Sequence, residues 1–387
     1  METITFKLTG RIDSTNAPEI EEMIMARVEG LSSPSITLDF GELEYISSAG
    51  LRVLLRLIKN CQDVRIIDAS QEVYEILQMT GLTELMPVQR AFRRISVEGC
   101  DEVGRGANGI IYRIDRDTVV KVFYAPSALE DIQREREIAR YALILGIPTA
   151  ISYEVVQVGD SYGAVFELLN ARSFSTILKN EPEKMDWCVT ETVKLLKKIH
   201  SIEVPDGKLP DMRETALEWA RFTQEYLPKE AGERLLALFE ALPYDNHMIH
   251  GDCHTGNLEL QNDEVLLIDM DTVSVGHPIL ELSPMYNSFV GFSEYDNKSI
   301  ERFHGLDLET GLTFWRKCLT AYLDTDDPER LRQVEDKARI ISYTRLIRRS
   351  IRRGGLETEA GREEIELWKK ELLELLERTD SLVFTCG

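Results

Sequence analysis

Two short apolar runs, Leu258–Leu260 and Val265–Ile268, are separated only by Gln261-Asn262-Asp263-Glu264. Runs of that length around a polar tetrapeptide read as a β-hairpin. A hairpin returns its two ends to one place, so Asn257 at its start and Asp269 at its finish are expected to be neighbours. Asp252 precedes Asn257 by one short loop, within His250-Gly-Asp-Cys-His-Thr-Gly-Asn. A carboxylate and an amide oxygen at one point can share Mg²⁺, while a second carboxylate orients a hydroxyl. These are groups that metal-assisted phosphoryl transfer needs.

A complementary set lies upstream. Val103-Gly104-Arg105-Gly106-Ala107-Asn108-Gly109-Ile110 joins two strand-like segments through a glycine-rich turn. The dinucleotide version of such a pattern opens a helix, whereas a strand–glycine loop–strand element suits a flap over nucleotide phosphates. Lys121 stands in the middle of Val119-Val120-Lys-Val122-Phe123, where a buried ammonium needs an anion or a solvent channel. On the following helix, spanning 129–145, Glu135 has Ile132 and Ala139 at i−3 and i+4, which turns it toward the apolar stripe and toward Lys121. Glu137 is the reserve candidate. Ser152–Val158 and Ala164–Leu168 flank a further hairpin turn, and the chain from Met185 onward is mostly helical outside 250–271.

Residues 2–97 have a different rhythm. A strand at 4–8 is followed by Gly10-Arg11-Ile12-Asp13, which reads as a turn into a further short strand. Helices at 17–28, 49–59 and 72–79 alternate with strands at 35–40 and 64–67, an α/β order that predicts a small sheet covered by helices. With 387 residues, 43% apolar and 29% charged, the chain is long enough for two or three folded domains. Its 45 basic and 67 acidic residues give a net charge of −22, which repels nucleic acid and anionic lipid except at a local basic patch. The six cysteines have no paired short spacing, no apolar run reaches membrane-spanning length, and Met-Glu-Thr-Ile-Thr-Phe-Lys lacks a signal-peptide core, so a soluble, cytoplasmic protein with reduced thiols is expected.

The combination Gly104-x-Gly106-x-x-Gly109, Lys121, Glu135, His250-Gly-Asp252-x-x-x-x-Asn257, Ile268-Asp269 and Gly276-His-Pro278 resembles the aminoglycoside phosphotransferase-type branch of the protein-kinase-like fold. The resemblance covers residues 100–387. It implies a two-lobed α+β fold with ATP at the cleft between lobes, an N-lobe with hinge at 99–170 and a mainly helical C-lobe at 171–387. Gly104, Gly106 and Gly109 would cover the phosphates, and Lys121, held by Glu135, would contact the α- and β-phosphates. Glu167 and Leu169 would offer hinge groups to adenine. Asn257 and Asp269 would hold Mg²⁺, and Asp252 would act as general base toward a small-molecule hydroxyl acceptor. Two positions depart from the branch: Glu281 stands where aspartate is common, and Thr149-Ala150 follow Pro148 where a second proline is frequent. Neither touches the phosphate chemistry on this reading.

Residues 1–98 contain Leu38-Asp39-Phe40 and Tyr45-Ile-Ser-Ser-Ala-Gly-Leu-Arg-Val-Leu-Leu, which resemble the STAS domain of anti-sigma-factor antagonists. The resemblance implies a regulatory or docking α/β domain that engages a protein partner such as an anti-sigma factor. It also marks Ser48 as the candidate phosphorylation site, at a helix start where the backbone favours an anion. The aspartate that often precedes the acceptor is replaced by Ser47. Two readings stay open: a Mg²⁺-ATP phosphotransferase for a small molecule, and a protein serine kinase or nucleotide-binding regulator of a partner-switching pathway with Ser48 as acceptor. Arg345, Arg348, Arg349, Arg352 and Arg353 form a basic stretch around apolar residues. A lobe-docking helix with its arginines toward acidic neighbours is expected there; a grip on an anionic substrate is the alternative.

Overall fold

The computed structural model describes residues 3–31, 34–105, 108–124 and 129–385. Gly106 lies outside them. Residues 1–98 with 155–163 form one compact unit, and residues 99–154 with 164–387 form the other.

In the first unit the order is β1 (Thr3–Ile12), α1 (Ala17–Val28), β2 (Ser35–Ile46), α2 (Ser48–Asn60), β3 (Asp63–Ala69), α3 (Gln71–Met79), α4 (Leu82–Leu85), β4 (Val88–Arg90) and β5 (Arg93–Ile95). Strands β1 to β4 lie in sequence order, all neighbours parallel. Parallel neighbours need crossovers, and the helices supply them. Val53 and Leu57 of α2 and Val73 and Leu77 of α3 bury against Ile36, Leu38 and Phe40 of β2 in one apolar core.

The turn expected at 10–13 is absent. β1 runs straight through it, and its pairing with β2 shifts register between Lys7 and Thr9 and again between Gly10 and Arg11. Gly10 sits at φ +67°, a conformation that carries no Cβ penalty only for glycine. The bulged ladder therefore continues to Ile12 opposite Ile46, and β2 outruns the six residues expected for it. It delivers Ser47 as the N-cap of α2, its hydroxyl accepting from Ala49 N–H at 3.2 Å. Ser48, the first helical residue, is exposed.

The chain continues with β6 (Asp101–Arg105), β7 (Gly109–Arg113), β8 (Thr118–Phe123), α5 (Leu129–Ile144), β9 (Ser152–Val158) and β10 (Ser161–Glu167), in the sheet order β9-β10-β8-β7-β6. β11 (Arg172–Ser173), α6 (Phe174–Asn180), α7 (Met185–Ile199), α8 (Met212–Thr223), α9 (Lys229–Glu240) and β12 (Met248–Ile249) follow. Next come β13 (Leu258–Gln261), β14 (Glu264–Leu267), β15 (Ser274–Val275), α10 (Ile279–Tyr286), α11 (Ser299–His304), α12 (Leu308–Leu323), α13 (Pro328–Arg352) and α14 (Glu359–Arg378). The helical core gathers around Phe289, Phe314, Trp315, Tyr343 and Trp368, all fully buried. Helix α13 runs through it, with Ile340, Ile341, Leu346 and Ile347 inside. Among the described residues no helix is long and apolar enough to cross a membrane.

Candidate active site

The hairpin β13–β14 closes through Asn262 and Asp263, both at positive φ (49° and 64°). Both residue types tolerate that region, and a two-residue turn of this hand matches strand twist. Leu258 pairs with Leu267, and Ile268 N–H donates to the Asn257 carbonyl at 2.9 Å. The two hairpin ends thus meet. Asn257 is buried (7% exposed), and its Nδ2 donates to the Asp252 carbonyl at 3.0 Å. That bond commits the amide nitrogen, so Oδ1 is the atom that could face a cation. Asp269 adopts a left-handed backbone at φ 64°, a conformation aspartate tolerates better than most residues.

Lys121, on β8, donates to Glu135 Oε1 at 3.1 Å and lies 3.6 Å from Asp269 Oδ1. Its side chain is 17% exposed and that of Glu135 12%. Burial works against the Lys121 charge, but Glu135, Asp269 and Asp271 outweigh it and hold the ammonium's pKa above its ordinary value. Burial pushes the Glu135 carboxyl up, with the lysine opposing. Asp271 is exposed at the surface, yet partial desolvation by the surrounding protein and the charges of Asp269 and Glu135 push its carboxyl to about 7. Carboxylates so crowded around one ammonium create a field that favours an added cation. Among the described residues no group of three or more His, Cys, Asp or Glu side chains is arranged to hold a metal, so any ion here would rest on mixed carboxylate and amide oxygen.

Lys121, Glu135, Asn257 and Asp269 line one cavity of about 550 Å³ together with Gly109, Glu167 and Leu169. Gly109 is a fitted residue: a Cβ there would stand 2.3 Å from the Val122 carbonyl oxygen, so β7 and β8 can approach only without a side chain. Gly104 lies within β6 opposite Ile111 and is not among the cavity's lining residues. At the hinge, the Glu167 carboxylate accepts from Ile151 N–H at 2.7 Å, and Leu168 N–H is committed to the Asp117 carbonyl at 2.8 Å. Leu169, the next residue along, lines the cavity.

Asp252 lines a second cavity, of about 230 Å³, shared with His254, His304, Arg345 and Arg349. Its loop is held from beneath. His250 is fully buried, and its Nδ1 accepts from Asp252 N–H at 3.3 Å. Cys253 is buried too, and burial pushes its thiol well above the ordinary range, which leaves it inert.

Three features escaped the sequence reading. Glu281 was set aside as a departure remote from the chemistry. It is in fact 0% exposed and accepts backbone N–H groups from His250 (2.6 Å), Gly251 (2.9 Å) and Cys253 (3.3 Å). Burial alone would raise its carboxyl, but His200, His250 and the Gly251 N–H together hold it below the usual range. Glu259 on β13 faces the larger cavity, where burial pushes its carboxyl to about 7. Arg345, Arg348 and Arg349 of α13 do not meet acidic neighbours as expected: they lie over Trp219, Phe222 and Phe292. The signal for Glu281 was its place three residues past His277-Pro278, at the first turn of α10; nothing local marked the other two.

A strand flap over a buried lysine–glutamate pair, a hinge, and a loop carrying Asp252 and Asn257 beside Asp269 define a kinase-like phosphotransferase. The chain belongs to the phosphotransferase enzyme family, whose family model matches residues 102–336, and it carries a STAS domain at residues 2–95. Over 85 residues the chain is 34% identical to BtrV of Bordetella bronchiseptica, a protein assigned as an anti-sigma factor antagonist, covering 21% of this chain and 72% of that protein. Among solved structures it is similar to the gentamicin complex of aminoglycoside phosphotransferase APH(2")-IIa, at 17% identity and TM-score 0.48, covering 78% of this chain and 97% of that one. The ADP-bound phosphotransferase APH(2'')-Ib is similar at 19% identity and TM-score 0.45, covering 80% and 97%. Family membership rests on the match over residues 102–336.

Proposed function

We propose that residues 99–387, with an N-lobe and hinge at 99–170 and a C-lobe at 171–387, transfer the γ-phosphoryl group of ATP to a hydroxyl of a small molecule. Residues 1–98 serve as a regulatory or docking domain. The observation that carries the reading is Lys121, 3.1 Å from Glu135 and 3.6 Å from Asp269 in a cavity that Asn257 also lines. A paired lysine of this kind holds the α- and β-phosphates. Glu167 and Leu169 border the same cavity and offer backbone groups to the adenine edge, and Glu259 accepts from a ribose hydroxyl. Gly109 lets the flap lie close over the phosphates, and Gly104 belongs to β6, the strand paired with it.

The oxygens of Asn257 and Asp269 suit Mg²⁺, which when bound neutralises charge on the transferring phosphoryl group. Asp252 accepts a hydrogen bond from the attacking hydroxyl and takes its proton, a role worth about 10²–10⁴-fold. Glu281 and His250 keep the backbone that carries Asp252 in one conformation, so the carboxylate is aimed before the acceptor arrives. The test is transfer of labelled phosphate from γ-labelled ATP to a panel of hydroxyl compounds. Lys121→Met should lose transfer; a Lys121→Met protein as active as wild type sinks the reading.

Exposed Ser48 at the N-terminus of α2 supports a second reading, a protein serine kinase with a STAS acceptor and an anti-sigma factor as the domain's partner. Phosphate there would add about −1.5 to −2 charges where α2 begins. Mass spectrometry after incubation with ATP decides it: modification at Ser48 supports this reading, and an unmodified Ser48 in active protein removes self-phosphorylation.

A further inference from the structure

The cavity beside Asp252 has a charge that its setting does not explain. In a chain of net charge −22, its only lining carboxylate among the described residues is Asp252, against the two arginines Arg345 and Arg349. Two arginines earlier on α13 are paired: Arg339 lies 2.7 Å from Glu371 and 3.5 Å from Asp336, and Arg332 lies 2.7 Å from Glu329. Arg345 and Arg349 differ. Among the described residues neither guanidinium has a hydrogen bond or a carboxylate within 4.0 Å; each rests on one aromatic ring, Trp219 at 5.2 Å and Phe292 at 5.0 Å. Both are half-buried. Burial lowers the pKa of Arg345, with Asp252 and Asp271 offsetting it only in part. A partly desolvated cation without a partner carries an uncompensated cost, and a site that keeps two of them is built to meet an anion.

The neighbouring rings are kept neutral chiefly by burial, so they offer the acceptor's hydroxyl a hydrogen-bond partner and leave the charge to the arginines. His254 Nε2 is 3.8 Å from Asp252 Oδ2, and its ring stacks edge-on with His304 at 5.0 Å. His304 Nδ1 is buried with no hydrogen-bond partner, while its Nε2 engages the Ser288 carbonyl at 3.2 Å. The cavity's volume, about 230 Å³, lies below the range typical of drug-sized ligands, roughly 300–1,000 Å³. A bulky polycation would meet two guanidinium groups there and find a single carboxylate.

We propose that the acceptor is a compact anion, a hydroxyl compound bearing a carboxylate or phosphate group that Arg345 and Arg349 bind while its hydroxyl meets Asp252. This rests on the phosphotransferase reading of the same site and names its substrate class. The acceptor oxygen forms the new bond to the γ-phosphorus as the bond to the β-bridging oxygen breaks. The hydroxyl proton goes to Asp252, and ADP leaves beside the phosphorylated acid. Arg345 and Arg349 act as binding residues, held flat by the aromatic rings beneath them; a planar guanidinium fits either anion through paired N–H groups.

The full chain at saturating Mg²⁺-ATP is assayed with glycerate, glycerol 3-phosphate, glycerol and kanamycin, with ADP release and product formation both followed. Glycerate and glycerol 3-phosphate separate a carboxylate from a phosphate preference. At least one should exceed glycerol in kcat/KM by about tenfold or more, and Arg345→Met and Arg349→Gln should each remove that advantage mainly through KM. In parallel, sulfate is titrated against the thermal transition of protein saturated with a non-hydrolysable ATP analogue. Wild type should be stabilised by sulfate, and the less buried Arg349→Gln variant should lose that stabilisation even if Arg345→Met fails to fold. Glycerol or kanamycin phosphorylated as well as the anions overturns the proposal, as does the lack of both an anionic acceptor and a sulfate effect. Failure to bind nucleotide at all would instead sink the phosphotransferase reading, while the sulfate titration of wild type and Arg349→Gln would still report on the arginine pair.

Discussion

Glu281 ties α10 to the backbone beneath Asp252, and its removal should be felt both in stability and in turnover. In Glu281→Gln the amide oxygen can replace Oε2 and keep the His250 and Gly251 N–H bonds, at 2.6 and 2.9 Å in the native protein. The amide nitrogen then faces Cys253 N–H, donor against donor, where Oε1 had accepted at 3.3 Å. Hydrogen bonds to a charged group contribute about 1.5–3 kcal/mol each against roughly 1 for a neutral one, so two weakened bonds and one lost should cost about 3 kcal/mol or more. Glu281→Ala strands every one of those donors in a 0%-exposed site and should cost about 5 kcal/mol or more, enough to threaten folding.

Urea unfolding at neutral pH measures the first effect, and turnover with nucleotide affinity measures the second. kcat should fall further than ATP affinity, because the loop beneath Asp252 loosens while Lys121 and the hinge are untouched. The pH dependence adds a sign. The Glu281 carboxyl is held below its ordinary 4.5, so its stabilisation is fully present above that value and is lost as pH falls through the folded pKa. The gap between wild type and Glu281→Gln should therefore narrow in acid. A Gln variant with the wild-type urea midpoint and turnover would refute the clamp.

Further consequences are testable. Lys121→Met leaves Glu135, 12% exposed, without its cation, and should cost about 3 kcal/mol in urea unfolding; Lys121→Met/Glu135→Leu should recover part of that loss. Gly109→Ala puts a Cβ 2.3 Å from the Val122 oxygen, so β7 and β8 must part; a loss of about 1–3 kcal/mol and weaker nucleotide binding by calorimetry are expected. His304 is held at about 4, against 6.5 when free, chiefly by burial and by the neighbouring His254. Its contribution is present above the free value and is lost as pH falls, about 2 kcal/mol by pH 5, so unfolding midpoints of His304→Gln should depend less steeply on pH between 7 and 5.

What could be read from the residues alone follows a physical division. The hairpin at 258–267 was legible because two short apolar runs flank the polar Gln261–Glu264, and a closed turn, made through Asn262 and Asp263, forces Asn257 and Asp269 together whatever the rest of the chain does. Glu135 was legible because a helix face is set by i−3 and i+4 spacing. Glu281 was not, since its acceptor role depends on α10 packing under a loop 30 residues earlier, a distance at which local pattern is silent. The same holds for the smaller cavity, which joins Asp252 to Arg345 through the packing of α13. The arginines of α13 read as partners for acids because charge was all the sequence displayed. Trp219, Phe222 and Phe292, which they cover, come from elements far away in the chain. At Gly10 the misreading was local: a glycine at positive φ serves a bulge as well as a turn, and only the partner strand distinguishes them.

The central claim is that one cleft holds Mg²⁺-ATP while Asp252 takes the proton of the attacking hydroxyl. Single-turnover release of the γ-phosphoryl group, with nucleotide affinity measured on the same samples, tests it most directly. Asp252→Asn should bind Mg²⁺-ATP about as tightly as wild type and transfer about 10²–10⁴-fold more slowly, and ATP affinity should fall on removing Mg²⁺ or in Asp269→Asn. An Asp252→Asn protein that transfers at the wild-type rate, or ATP binding indifferent to both Mg²⁺ and Asp269, would contradict it.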